Sequence, residues 1–354
     1  MARVLIVGAG LTGSLCASLL RRELQDKVRI EVWEKSRGSG GRMSTSRPPG
    51  PSSHSADLGA QYITATSAYR KSHHRLYAEL LSAGVLLPFD SSRIEGLKHK
   101  DGSQDFITPL GVGSIVKHFL SDSGAEVFFE RHVTGLFRRG ASWEVQSRAG
   151  DSEMFDAVVL TIPVPQILQL EGDLREMLTP PQQQQLSSVL FSSRFALALF
   201  FPPDASFSFS WAARYVRDSS VIVYICHDSA KRNAAPSLGP SLVVHSSVPF
   251  GLAHLERDAA DVQPIIMQEL QRLLPGLPQP ISIKCHKWRY SQVLTGVPGS
   301  PGHMTLLQFP PLLCAGDGFS HSNFDGCVDS ALSTITALRE GLSEGVGLTD
   351  QSEP

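Results

Sequence analysis

The residues with the clearest chemical potential lie near the N-terminus. Gly8, Gly10 and Gly13 recur as Gly-x-Gly-x-x-Gly directly after the apolar run Val4-Leu5-Ile6-Val7. Thr12 lies inside the turn. A small, apolar stretch over residues 14–20 follows and reads as a helix. A second apolar run, residues 28–33, ends in Glu34, about twenty residues past Gly13. Each type has a physical task at its position. Gly8 allows a tight turn, Gly10 lets backbone approach a pyrophosphate, and Gly13 lets helix and strand pack closely. The unpaired N–H groups and dipole of a helix N-terminus favour an anion there. Glu34 is placed to accept hydrogen bonds from an adenosine ribose. The pattern predicts a dinucleotide-binding βαβ unit.

The rest of the chain must build the sheet that holds this turn. A loop rich in Gly, Ser and Pro over residues 36–55 carries Gly40-Gly41-Arg42-Met43, and Ala56-Asp57-Leu58-Gly59-Ala60-Gln61-Tyr62 follows it. Helical spacing predicts a helix over residues 69–87 and another over 114–121. Residues 126–129 read as a strand, and 133–137 with 143–147 as a hairpin turning at Arg138-Arg139-Gly140. The continuous apolar run Ala157-Val158-Val159-Leu160 suits a buried parallel strand. Between residues 165 and 283 the character changes: a helix at 182–190 alternates with strands at 194–201, 221–226 and 241–247. Strand and glycine punctuation return at Leu312-Leu313-Cys314-Ala315-Gly316-Asp317, and a last helix is expected over residues 326–342.

Composition removes several function classes. The chain has 354 residues, 42% of them hydrophobic, and a net charge of −2, which leaves no electrostatic footprint for nucleic acid or an anionic membrane. No stretch is apolar for the roughly 18 residues that a spanning helix needs. Arg3 before an apolar run mimics a signal peptide, but cleavage there would remove the nucleotide turn. A cytoplasmic protein is the expectation. Cys16, Cys226, Cys285, Cys314 and Cys327 are scattered, which argues for small buried hydrophobes rather than a disulfide frame or a metal site.

The order of these phrases is itself informative. VLIVGAGLTGSLCA, GGRMST, ADLGAQYIT, LTIPVPQILQL, PSLVVHSSVPFG and GDGFSHSNFDGC together resemble the flavin-containing amine oxidase superfamily over most of the chain. The resemblance implies non-covalently bound FAD. It implies an α/β fold: a Rossmann-like FAD-binding domain with a βαβ fingerprint and a β-meander, plus an interleaved α+β substrate domain with a mixed, mainly antiparallel sheet. The expected partition is 1–70, 110–165 and 286–342 for FAD, 71–109 and 166–285 for substrate, and a disordered tail at 343–354. By the same resemblance, Gly8, Gly10, Thr12, Gly13, Glu34 and Gly41 serve the phosphates and adenosine, Arg42 approaches the phosphates or the flavin, and Gln61 and Tyr62 line the flavin. Asp317 would hold a ribityl hydroxyl, with a turn cap as its plainer role. Asn323 and Gly326, at the start of the final helix, would turn N–H groups to the flavin N1–C2 carbonyl edge.

The branch of the family matched most densely is implied to oxidise isomers of reduced NAD(P) that carry the hydride at ring position 2 or 6. Hydride passes to flavin N5, β-NAD(P)+ leaves, and O₂ becomes H₂O₂, a metabolite-repair role. A dihydropyridine expels hydride from its own nitrogen lone pair, so no general base is required, and we assign no catalytic acid, base or metal. Tyr62, His245 and Trp288 are the substrate-binding candidates. His245 and Trp288 read equally as core residues, and the direction of Lys287 is open. The alternatives are an amine or catecholamine oxidase, and a secreted signalling protein with structural FAD, since the family is also described as extracellular. Oligomeric state and the choice between NAD and NADP forms are not encoded legibly.

Overall fold

The computed structural model describes residues 1–48, 55–98, 102–234 and 238–349. The chain forms two compact units: Met1–Gly41, Val116–Leu190 and Val293–Pro354 make unit 1, and Arg42–Ile115 with Phe191–Gln292 make unit 2.

Unit 1 is built on a six-stranded sheet in the order His303–Leu307, Leu312–Ala315, Ala157–Leu160, Ala2–Val7, Val28–Trp33, Glu126–Phe128. All neighbours are parallel except the first pair. Val4, Leu5, Ile6 and the whole of Ala157–Leu160 are fully buried, because a parallel sheet is covered on both faces. We label Ala2–Val7 β1, Leu11–Leu24 α1 and Val28–Trp33 β2. Helix α1 packs against the C-terminal helix Phe324–Thr349. A four-stranded sheet contains the meander: Val133–Arg139, Ser142–Ser147 and Ser152–Phe155 pair antiparallel in sequence order.

Unit 2 centres on a second six-stranded sheet in the order Ser282–Trp288, Arg194–Phe200, Ser241–Ser246, Ile222–His227, Ala213–Tyr215, Ile94–Glu95. Only the last pair is parallel. Strict alternation divides its faces. Phe195, Leu197, Leu199, Leu242 and Val244 pack under the helix Ala259–Leu273 through Val262, Ile266 and Leu270. Ala196, Ala198, Phe200, Val243, Tyr224 and Cys226 face the other way, into a cluster with Leu58, Tyr62 and Trp288.

Several expectations need correction. The strand pairs formed by residues 56–57 and 63–65 join unit 2, so the first boundary falls after Gly41 and not after residue 70. Residues 166–190 belong to unit 1, where the short helix Val164–Ile167, continuing from Ala157–Leu160, packs on Pro180–Ser187. The helix expected over 69–87 is two helices, Ser67–Ser72 and His74–Ser82, broken at His73 and ended before Gly84, which adopts φ +67°. The helix expected at 182–190 starts earlier, at Pro180, because Thr179 and Gln182 form a capping box. The hairpin turns at Gly140-Ala141 rather than one residue earlier, since Gly140 takes the positive φ of 63° that the turn requires. The final helix runs on to Thr349, with no proline before residue 354 to stop it; residues 350–354 of the expected tail, and 49–54 of the Pro-rich loop, lie outside the described residues.

The helix seam of unit 2 gives a stability test. Ile266 is fully buried, so Ile266→Ala should cost about 2–5 kcal/mol through lost burial and an unfilled cavity, read as a lower urea midpoint at unchanged slope.

Candidate functional site

In unit 1 the glycine turn has the geometry that its sequence predicts. Gly8 takes φ +107°, and its N–H donates to Trp33 O at 2.9 Å, tying the turn to the end of β2. A Cβ on Gly13 would sit 2.0 Å from Gly8 O and 2.8 Å from Thr161 Oγ1, so α1 can approach the turn only with glycine there. Thr12 is buried in the first turn of α1. The Glu34 carboxylate accepts from Ala9 N at 2.9 Å and from Ser36 N at 2.8 Å. It therefore fixes the turn and the next loop to the tip of β2.

This turn fits the adenosine diphosphate end of a dinucleotide. A Cβ on Gly10 would meet nothing within 4 Å, so space lies open in front of the α1 N-terminus. Gly41 adopts φ +54° and would place its Cβ 3.5 Å from the Gly10 Cα, beside the same opening. Each Glu34 oxygen carries one bond and keeps a lone pair for a hydroxyl. Farther along unit 1, Asp317 is buried after the strand Leu312–Ala315 and its Oδ2 accepts from Ser322 Oγ at 2.9 Å. Asn323 Oδ1 accepts from Gly326 N at 2.6 Å. That contact caps the final helix, so the Gly326 N–H expected to face a flavin is engaged within its own turn.

In unit 2 the loop that carries Gln61 and Tyr62 brings the candidates together. The Leu58 carbonyl accepts from His245 Nε2 at 2.9 Å and from Trp288 Nε1 at 3.1 Å. Because a carbonyl only accepts, His245 must carry its proton on Nε2, leaving Nδ1 as an acceptor. Burial, with Arg194 and Lys231 nearby, lowers the His245 pKa to about 4, so the ring is neutral at physiological pH. The Tyr62 hydroxyl pairs with the Tyr215 hydroxyl at 2.6 Å. Burial, and then that contact, raises the Tyr62 pKa well above the ordinary phenol value. Gln61 donates to Gly59 O at 3.0 Å and also to Asp57 O, while its Oε1 is buried without a hydrogen-bond partner among the described residues. Arg42 lies half-buried, its Nη1 3.5 Å from Ser291 O and its guanidinium 5.7 Å from the Phe191 ring centre.

A buried ion cluster beneath this loop was not anticipated. Lys231 Nζ donates to Gln61 O at 2.8 Å and lies 3.0 Å from Asp228 and 3.5 Å from Asp57. Arg232 pairs with Asp228 at 2.6 Å. Burial alone would push the Asp228 carboxyl up, but Lys231 and Arg232 outweigh it and hold the group ionised. Burial wins at Asp57 and raises its pKa despite Lys231. Asp57 Oδ1 also accepts from Val112 N at 2.9 Å and Thr45 Oγ1 at 2.8 Å. The only sequence signal for this cluster was a run of charges, Asp228 to Arg232, beside an apolar strand. Lys287 points the other way: its Nζ donates to Leu255 O and Arg257 O, and it pairs in register with Phe195 of the helix-covered face.

Comparison with known proteins agrees with this architecture. Residues 6–80 match an NAD(P)-binding Rossmann-like domain, and residues 93–334 match the flavin containing amine oxidoreductases. Mouse (Mus musculus) renalase is 48% identical over 340 residues, covering 96% of this chain and 99% of that protein. A protein described as a protoporphyrinogen oxidase, from Exiguobacterium sp. 255-15, superposes with a TM-score of 0.73 at 16% identity, over 97% of this chain and 99% of that one. A Pyrococcus furiosus protein gives 0.63 at 14% identity, over 95% and 97%. At those identities the two structures speak for the fold alone. No helix among the described residues is long and apolar enough to cross a membrane.

Two tests follow. Gly13→Ala should purify with a clearly reduced flavin-to-protein absorbance ratio, because its methyl displaces α1 from the turn; full occupancy would remove this turn from the cofactor site. For His245, the folded pKa lies near 4 against an ordinary 6.5. Below pH 6.5 the unfolded chain takes up a proton that the folded chain refuses until about pH 4, so stability falls as pH drops through that window. His245→Gln should flatten part of this decline, measured by thermal melting from pH 7 to 4; His227, lowered to about 4, and His132, His286 and His303, also lowered chiefly by burial, contribute to what remains.

Proposed function

Since the chain belongs to the flavin-containing amine oxidoreductases, in the branch that includes renalase, we propose that this FAD-dependent oxidoreductase oxidises the 2- and 6-dihydro isomers of NAD(P)H to β-NAD(P)+. Bound FAD supplies the two-electron acceptor for the hydride and returns the electrons to O₂ as H₂O₂. In unit 1, Gly8, Gly10, Thr12, Gly13, Glu34 and Gly41 hold the adenosine diphosphate end, and Asp317 is a further cofactor residue; Asn323 and Gly326 bond within their own turn and drop out of the set. On unit 2 the cofactor candidates are Arg42, Gln61 and Tyr62.

The observation that carries the substrate reading is the convergence of His245 and Trp288 on Leu58 O. It fixes an indole and a neutral imidazole on one face of a sheet, and a flat ring needs such a wall. His245 Nδ1 accepts from a carboxamide N–H, while Trp288 and Tyr62 hold the ring at a near-attack position. Neither Tyr62 nor His245 is ionised near neutral pH, which suits a reaction that needs orientation and no proton abstraction. Lys287, beside Trp288 in the sequence, is spent on two carbonyls of the opposite face. Cys16, Cys226, Cys285 and Cys314 form no disulfide, which suits a reducing compartment, and we place the enzyme in the cytosol.

Anaerobic mixing of the yellow holoenzyme with 6-dihydroNAD should bleach the flavin band rapidly. Admitting air should restore it, with one H₂O₂ per turnover. A flavin left oxidised by both the 2- and 6-isomers, yet bleached by an amine, would replace this reading with the amine oxidase one.

A further inference from the structure

The sheet face that carries the substrate candidates has an unbalanced positive charge. Arg194 opens the strand Arg194–Phe200 and pairs in register with Trp288, so the two side chains leave the sheet on the same side. One strand over, His245 is the register partner of Ala196 on that same side. Arg194 is half-buried, and its Nη1 donates to Ser246 O at 3.0 Å. Among the described residues, no carboxylate lies within ion-pair distance of it. The deeper cations of unit 2 are treated differently: Lys231 and Arg232 both meet Asp228, and Lys231 also approaches Asp57. Withdrawing a guanidinium from water is costly unless an anion answers it. Burial accordingly lowers the Arg194 pKa, and its charge helps to keep His245 neutral. The neighbours do not relieve the excess. The same face carries Lys284 and His286 on the adjoining strand, and Ala196 and Ala198 between.

We propose that Arg194 is the anion anchor of the substrate site, its guanidinium taking the diphosphate of the dihydronicotinamide dinucleotide whose ring lies against Trp288. The proposal rests on the substrate reading given above. A planar fork of N–H donors matches phosphate oxygens in pairs, which an ammonium cannot do. The ring and the diphosphate of such a substrate are one ribose apart, and Trp288 and Arg194 are direct neighbours across two strands. The same charge repels a protonated amine. Arg194 is thus a specificity-determining residue: it selects dinucleotides over neutral dihydropyridines and over cations.

The test compares 6-dihydroNAD with 6-dihydronicotinamide riboside, which keeps the ring and lacks phosphate. Flavin bleaching by each is followed anaerobically in wild type, Arg194→Gln and Arg194→Lys. Wild type should half-saturate at a much lower concentration of the dinucleotide than of the riboside. Arg194→Gln should shrink that preference roughly 10- to 100-fold, the range for a lost charged hydrogen bond, and Arg194→Lys should recover part of it. In wild type itself, added salt should weaken half-saturation by the dinucleotide more than by the riboside. This arm stands even where a variant does not fold. A preference kept by Arg194→Gln, or equal salt dependence of the two substrates, overturns the anchor and leaves the substrate reading intact. Loss of FAD from Arg194→Gln would assign the residue to the cofactor and overturn it likewise. A wild-type flavin bleached by neither compound overturns the substrate reading and the anchor together.

Discussion

The carbonyl of Leu58 is the constraint on which the candidate site of unit 2 depends. It sits in a segment, residues 57–62, that has no ladder of its own beyond the pair at Ala56–Asp57. Two strands reach it through side chains, His245 from one and Trp288 from another. The remaining groups of the segment are held from below. Lys231 donates to Gln61 O, and Asp57 accepts from Val112 N and Thr45 Oγ1. Every one of these contacts is long in sequence. Buried ions contribute little net stability over a packed apolar cluster, but removing one member of such a group costs about 3–5 kcal/mol by stranding the others. The cluster therefore specifies one position for the loop more than it stabilises the fold.

The sheet beneath makes room for this arrangement in the middle of the strand Arg194–Phe200. Large side chains, Phe195, Leu197 and Leu199, go to the helix-covered face, and Ala196 and Ala198 go to the face that the loop covers. A bulky residue at either alanine would occupy the space over which His245 and Trp288 converge. In unit 1 the corresponding economy of space is at Gly13, whose missing side chain lets α1 lie against Gly8 O. Both devices set a distance of approach by omission of atoms.

Electrostatics then define what the unit 2 face favours. Tyr62 stays protonated and His245 stays neutral, each shifted chiefly by burial. The charges of Lys231 and Arg232 are answered internally by Asp57 and Asp228. What remains on this face, among the described residues, is a set of hydrogen-bonding and aromatic groups with the Arg194 guanidinium and Lys284 beside them. Under the proposed reading, such a face suits a flat, polar ring that carries an anionic tail.

Much of this was legible in the chain because the relevant physics is local. The glycine turn, its strand and its helix are required within about thirty consecutive residues, so their spacing declares them. Apolar runs announced the parallel strands, and alternation announced the meander. Tyr62, His245 and Trp288 stood out as residue types, and the family pattern ordered them. Their convergence on a single carbonyl was invisible, since Leu58, His245 and Trp288 are joined only by strand register and loop placement. The ion cluster, the Tyr215 partner of Tyr62, the outward course of Lys287 and the isolation of Arg194 were hidden for the same reason. Whether a charge on a strand meets a carboxylate, a carbonyl or open space depends on which face it leaves and what the neighbouring strand places opposite. The amino-acid order determined the cofactor turn and the fold class; the tertiary structure alone decided which polar groups are already satisfied and which are left for a ligand.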